Sequence, residues 1–226
     1  MKVFFGHQSV GRNLLEGVRE AAPKDLRVGK IGDTPGPNEL LLSEADIGEN
    51  EKPLTKIAAF ERIVTENAAG LNAAMFKFCY IDFSAGTDTK ALFDTYVAAH
   101  ARLHAAHPKI LFAHVTTPLT VVQSGPKAWL KKLTGNAPWG YVENQKRAEW
   151  NALLRARYAG NEAIFDLADL ESRDDAGDPV SYDVSGRAMP MLFSAYTSDG
   201  GHLSDKGKAK LAAAFVRFVR EITEEH

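Results

Sequence analysis

VFFGHQSVGRNLLEGV, residues 3–18, decides the reading of the chain. Three apolar residues run into Gly6, a polar trio follows (His7, Gln8, Ser9), and after Gly11 the residues Leu14, Leu15 and Val18 recur at the spacing of one helical face. A strand that turns at once into a helix is the first half of a βα unit. It leaves Ser9 at the carboxyl edge of the strand and the mouth of the helix. A serine there has two uses. Its oxygen can cap the helix by accepting an amide hydrogen bond. Or it stands exposed at a helix N-terminus, where anionic oxygen is favoured. Gly6 and Gly11, on either side, are expected to let the backbone turn tightly with its N–H groups free.

The rest of the chain repeats the alternation. Strand-like runs stand at KVFF (2–5), LRVGKI (26–31), MFKFCYIDF (75–83), KILFAHVT (109–116) and AIFDLADL (163–170). Helical patterns occupy 10–22, 53–69 (with Pro53 suited to a first turn), 89–107, 144–159 and 205–224. The strand runs are apolar at successive positions, as expected where helices cover both faces of a sheet. The fold class is therefore α/β: a three-layer α/β/α sandwich with a five-stranded, doubly wound, mostly parallel sheet. Ligands in that architecture bind beyond the carboxyl ends of the strands, at the topological switch point.

Two connections, 117–143 and 171–201, are too long for plain turns, and each follows the carboxyl end of a strand. Both are expected to overhang the site. The 226 residues are read as a single domain, 1–226. A hydrophobic fraction of 45% and a charged fraction of 25% are those of an ordinary globular chain. A net charge of −2 gives no footprint for nucleic acid or an anionic membrane. The one cysteine, Cys79, cannot make an internal disulfide, and no apolar run is long enough to span a membrane. The first strand starts at residue 2 or 3, so no signal peptide is expected in the sequence itself. A leader trimmed from the front would make the chain periplasmic or secreted, and without one it would be cytoplasmic.

A second constellation lies in YTSDGGHLSDKGKAKLAAAF, residues 196–215. Asp199 and His202 stand three apart in a Gly-rich turn before the last helix. That spacing lets a carboxylate receive the imidazole N–H, fix the tautomer and leave the other nitrogen as a base. The competing use is an Asx-type turn, with Ser204 or Asp205 capping the helix.

An N-terminal strand–Ser–helix joined to a C-terminal Asp-x-x-His on an α/β sheet resembles the SGNH (GDSL-type) hydrolases, over essentially the whole chain. DGGHLSDKG is the most specific part of the likeness, whereas GHQSVG departs from the usual Gly-Asp-Ser by carrying Gln8 where the Asp would stand. The sequence looks closest to a bacterial subgroup with a GHQSVG first block. An α/β-hydrolase, with its nucleophile mid-chain and its acid far from the His, fits poorly.

The resemblance implies a serine esterase: Ser9 as nucleophile, His202 as base, Asp199 orienting His202, an acyl-enzyme intermediate, and no cofactor or metal. It also implies an oxyanion site built from the nucleophile's N–H, a second-block Gly and a third-block Asn. Gly48 and Asn50 in ADIGENEKP (45–53) supply a Gly and an Asn together. Tyr80-Ile81-Asp82 stands where the third block's Gly-x-Asn-Asp is expected, so that Asn is missing. The expected donors are therefore the N–H groups of Ser9 and Gly48 and the amide of Asn50. A working site needs the replacement, since one lost donor costs roughly 10²–10³-fold in rate.

Candidate substrate contacts are His7, Gln8, Tyr80, Asp82, Trp129 and Trp139. His7 is expected to point the other way along the strand, and Tyr80 and Asp82 either orient a donor or hold a loop. Trp129, Trp139 and Tyr141 form either a stacking wall for a sugar or acyl group or a small satellite core. His100, His104 and His107 share a helical face at metal-ligand spacing but read as a solvated helix. Lys131-Lys132 reads as a solvated patch, and DDAGD (174–178) as a turn without EF-hand spacing. The expected substrate is a short-chain ester, acetyl above all, on a carbohydrate. The alternatives are an O-acyltransferase acting on a sugar hydroxyl and a degenerate glycan- or partner-binding module of the same fold.

Overall fold

The structure, a computed structural model, describes residues 1–21 and 23–224, without the side chains of Lys127, Trp129, Lys131 and Lys132. Strand β1 (Lys2–His7) is central and runs directly into α1 (Val10–Ala21). It pairs in parallel with β3 (Leu40–Asp46) on one side and β4 (Ala73–Phe76) on the other. Strand β2 (Leu26–Lys30) adds to β3 and β5 (Leu111–Phe112) to β4, giving the five-stranded parallel order β2-β3-β1-β4-β5. The α/β expectation holds, and with it the doubly wound order. The chain moves out from β1 to β2, returns through β3, and crosses to β4, so the switch point lies beside the carboxyl end of β1.

The membership of the sheet differs from the sequence reading. Strand β3 was not foreseen, because LLLSEAD carries Glu44 and Asp46 within its apolar run. Their charges are met by distant residues: Glu44 bonds His7 and Lys30, and Asp46 bonds Arg12. The run 75–83 keeps strand pairing only at its start, since β4 ends at Phe76 and a 3-10 turn follows at Tyr80–Asp82. Strand β6 (His114–Val115) continues β5 past Ala113, and β7 (Ile164–Phe165) joins in parallel through β6.

Alternation along β1 divides the core. Val3 and Phe5 pack with Leu14, Leu15 and Val18 of α1 and with Phe215 and Val219 of the last helix. Phe4, one residue away, faces the opposite layer with Phe60, Phe76 and Trp150. That second layer is α2 (Pro53–Asn67), α3 (Thr89–Ala106) and α5 (Tyr141–Tyr158). Both faces of the strand are therefore buried, as parallel sheets require.

The long connections are partly ordered into elements of their own. Residues 117–143 hold α4 (Pro126–Leu133), and α5 starts three residues earlier than its periodicity suggests. After α6 (Leu167–Glu171), residues 171–201 form an antiparallel hairpin, β8 (Ser181–Val184) with β9 (Arg187–Pro190). Helix α7 (Asp205–Glu224) closes the chain against α1. Among the described residues no helix is long and apolar enough to cross a membrane.

Candidate active site

Ser9 takes a left-handed backbone, φ +53°, between the end of β1 and the first turn of α1. Its carbonyl accepts from Arg12 N (2.8 Å) and Asn13 N (3.3 Å), so its backbone starts the helix. An N-cap residue ordinarily sits in the extended region; here the positive φ turns the side chain elsewhere. Ser9 Oγ lies 2.8 Å from His202 Nε2. The expected tight turn at Gly6 and Gly11 is corrected, since Ser9 itself carries the unusual dihedral. The two glycines instead permit close approach. A Cβ at Gly6 would lie 2.9 Å from Ile47, and one at Gly11 would meet His7 and Lys77.

His202 Nδ1 lies 2.6 Å from Asp199 Oδ2. Asp199 Oδ1 accepts from the backbone N–H groups of Gly201 (2.9 Å) and His202 (2.8 Å). Burial pushes this carboxyl up, but the Gly201 amide and the His202 side chain and amide outweigh it and hold it at about 2. Asp199 is thus ionised wherever the imidazole can act as a base. The tautomer with a proton on Nδ1 leaves Nε2 to accept from the serine hydroxyl. His202 also takes a T-shaped contact from Tyr80, ring centroids 5.7 Å apart. Gly201 has no room for a side chain beside that ring, where a Cβ would approach to 2.8 Å. Neighbouring Gly200, at φ +97°, lies under Trp139, whose ring a Cβ would meet at 2.9 Å. Trp139 is 41% exposed at this edge.

The loop after β3 lies against the Ser9 turn. Gln8 Nε2 donates to the carbonyls of Ile47 (3.1 Å) and Gly48 (2.6 Å). Gly48 has φ +58°, and a Cβ there would be 2.6 Å from Lys56 N. Only glycine combines that dihedral with that contact. Asn50 is exposed, and its Oδ1 accepts from Lys56 Nζ at 3.0 Å.

Several candidate substrate contacts have partners elsewhere in the fold. His7 is 1% exposed and bonds Glu44 at 3.1 Å, behind the strand. Gln8 is spent on the loop carbonyls. Asp82 is buried in an ion pair with Lys56 (2.5 Å) and also accepts from Glu51 N and Cys79 N. Tyr80 and Trp139 are the two that the fold brings beside His202 and its turn. The Trp129 side chain, and those of Lys131 and Lys132, lie outside the described residues. Tyr141 stacks edge-on with Tyr182.

The histidine row of α3 is not the solvated face expected. His100 is 2% exposed within Phe60, Phe76, Tyr96 and Phe112, while His104 bonds Glu162. Among the described residues no group of three could ligate a metal ion. The 174–178 segment is a turn closed by Asp174, which accepts from Ala176 N and Asp178 N.

Two supporting residues escaped the sequence reading. Arg147 of α5, buried to 3% exposure, donates to the Tyr80 carbonyl (2.9 Å) and so holds the 3-10 turn beside the site. Desolvation lowers its guanidinium to about 10. Lys56 of α2 is fully buried. Both read as ordinary surface cations of amphipathic helices, and only their long-range partners reveal them.

No protein-family model matches the sequence, and no curated protein matches it. Solved structures do. A protein assigned to the G-D-S-L lipolytic family of Desulfitobacterium hafniense superposes with TM-score 0.52 at 11% identity, covering 96% of this chain and 98% of that one. The periplasmic domain of a lipopolysaccharide acetyltransferase from Salmonella ser. Paratyphi A gives 0.53 at 12%, covering 97% and 83%. A peptidoglycan O-acetylesterase gives 0.53 at 8%, covering 84% of this chain and 49% of that one. The chain has the α/β fold of the SGNH hydrolases.

Proposed function

We propose that the protein is a serine esterase of the SGNH superfamily that hydrolyses a short-chain, acetyl-type ester on a carbohydrate. The observation that carries this reading is the continuous hydrogen-bonded line from Ser9 Oγ through His202 to Asp199 at the carboxyl edge of the central strand. The order of roles follows from chemistry. His202 Nε2 takes the Ser9 proton as Oγ attacks the ester carbonyl, and Asp199 stabilises the imidazolium. Collapse of the tetrahedral intermediate expels the alcohol, which takes the proton from His202. Water, deprotonated by His202, then releases the acid and restores Ser9.

The negative oxygen of each intermediate is received by the N–H groups of Ser9 and Gly48 and by the Asn50 amide. Ser9 N also lies at the positive end of α1. Tyr80 and Trp139 offer aromatic walls beside His202 for the substrate's carrier group. A cleft of about 570 Å³ adjoins the Asn50 loop on the side away from Ser9 and His202, neither of which lines it; its lining of Glu51, Leu54, Ile81, Ser84, Thr87 and Asp88 mixes carboxylate, hydroxyl and apolar surface suited to a sugar. The His202 and Asp199 side chains are 43% and 53% exposed, which gives water ready access and favours hydrolysis over transfer to a second hydroxyl.

A serine-directed fluorophosphonate tests the assignment. Stoichiometric labelling mapped to Ser9 is expected, and lost in His202→Ala. An unlabelled Ser9 in folded protein would point to a binding module instead.

A further inference from the structure

Lys56 and Asp82 form a buried ion pair at the edge of the candidate site, with both side chains at 0% exposure. Such pairs are seldom kept for stability, because well-packed apolar residues in their place are often as good or better. Their bonding partners indicate what this one holds. Lys56 Nζ donates to Asp82 Oδ2 (2.5 Å) and to Asn50 Oδ1 (3.0 Å). Asp82 Oδ2 also accepts from Cys79 N (2.7 Å), and Asp82 Oδ1 accepts from Glu51 N (3.0 Å), the residue after Asn50.

The ammonium decides which way the Asn50 amide faces. It has donors and no acceptor, so it can bond only the oxygen of a carboxamide. With Oδ1 pinned, Nδ2 and its two protons are directed away from Lys56. The adjacent positive charge also draws electron density towards Oδ1, which strengthens the N–H donors. The backbone beneath is held in the same way. Gly48 lies flat on the start of α2, and Gln8, next to the nucleophile, grips the Ile47 and Gly48 carbonyls. Cys79 Sγ, 3.5 Å from the Gln8 carbonyl, closes the circuit back to the turn that carries Ser9.

We infer that the Lys56–Asp82 pair is a positioning device that orients and polarises the Asn50 amide as an oxyanion donor, in place of the asparagine that Tyr80-Ile81-Asp82 lacks. The inference rests on the reading of Ser9 as an ester-cleaving nucleophile. Lys56 and Asp82 are positioning residues and act only through Asn50. The carboxylate that replaces the missing block also does a different job from a donor, because it anchors the cation that sets the donor.

The test is a double-mutant cycle on p-nitrophenyl acetate hydrolysis with Asn50→Ala, Lys56→Met and the double variant, with Ser9→Ala as control. Asn50→Ala is expected to lower kcat by roughly 10²–10³-fold. Lys56→Met should lower kcat by at least about tenfold with KM little changed, and add nothing in the Asn50→Ala background. A double variant that falls by the product of the two single losses would overturn the inference, as would a Lys56→Met enzyme with wild-type kcat.

Asn50→Asp keeps the test independent of folding. A carboxylate beside Lys56 pairs with it, so the thermal midpoint should not fall, yet both its oxygens are acceptors and kcat should drop at least as far as in Asn50→Ala. Retained kcat in Asn50→Asp would overturn the donor role. If Ser9→Ala hydrolyses the ester as fast as wild type, the nucleophile reading itself fails and the inference falls with it. If only the cycle is additive, that reading stands and the positioning role alone is lost.

Discussion

Ser9 Oγ and His202 Nε2 lie 2.8 Å apart across 193 residues of sequence, and Ser9 holds that position with a left-handed φ of +53°. A left-handed backbone costs an L-residue about 1–2 kcal/mol. Strain of this kind persists where the surrounding structure enforces it. Ser9→Gly should therefore abolish ester hydrolysis while unfolding at the same temperature as the wild type or higher. Ser9→Ala removes the hydroxyl but keeps the strain, and should be the less stable of the two. Thermal unfolding of both variants checks the order; a Ser9→Gly protein less stable than Ser9→Ala would remove the strain argument.

Asp199, held at about 2, stays ionised above pH 4. The carboxylate then takes up no proton in the working range, and the acid limb of kcat/KM should follow a single proton. Activity should rise with pH as the base is freed. A rate flat from pH 5 to 9 would contradict His202 as the base, and a limb of two protons would contradict a permanently ionised Asp199.

Gly48 carries both a positive φ and a backbone contact that leaves no room for a methyl group. Gly48→Ala should destabilise the fold by at least about 1–2 kcal/mol from the dihedral alone, which lowers the melting temperature by about 2–4 °C per kcal/mol in a chain of this size. Its activity should fall further than its stability, because the shift displaces the loop that carries Asn50. Full activity in Gly48→Ala would mean that the loop has no part in the reaction.

The buried histidines make stability depend on pH. Desolvation, then His114 and His104, lower His100 well below the ordinary imidazole value, and neither of its ring nitrogens has a hydrogen-bond partner among the described residues. Burial likewise lowers His7 and His114, against their bonds to Glu44 and Glu162. A depressed histidine stabilises the fold above its unfolded value, about 6.5, and that contribution is lost as pH falls below it. Glu171 opposes this trend: burial raises it to about 8, so its contribution is full below the ordinary carboxyl value and is lost as pH rises towards 8. Tyr96, Tyr158 and Glu162 also face the His100–His114 cluster. The urea midpoint of wild type should fall more between pH 7.5 and 5.5 than that of His100→Leu, in which this one group is removed. Equal falls would exclude His100 as a source of the pH dependence.

What the sequence makes legible is local. Ser9 was readable because a strand, a turn and a helix lie within 16 consecutive residues, and Asp199 with His202 because an i,i+3 pair closes on itself. The helices were readable from their periodicity, and α7 keeps the bounds that its pattern suggests. Strand β3 was not, because the charges of Glu44 and Asp46 are met by Lys30 and Arg12 from other elements, with His7 also bonded to Glu44. His100 was misread as solvated because helical spacing says which residues share a face and nothing of what covers it. Lys56 and Asp82 stand 26 residues apart, and a lysine in an amphipathic helix is ordinarily a surface residue.

The most direct test of the account is turnover of p-nitrophenyl acetate by wild type beside Ser9→Ala and His202→Ala. The Ser9–His202–Asp199 line predicts that wild type turns over and that both variants lose at least about 10³-fold in kcat. Three equal rates, whether all active or all absent in folded protein, would contradict it.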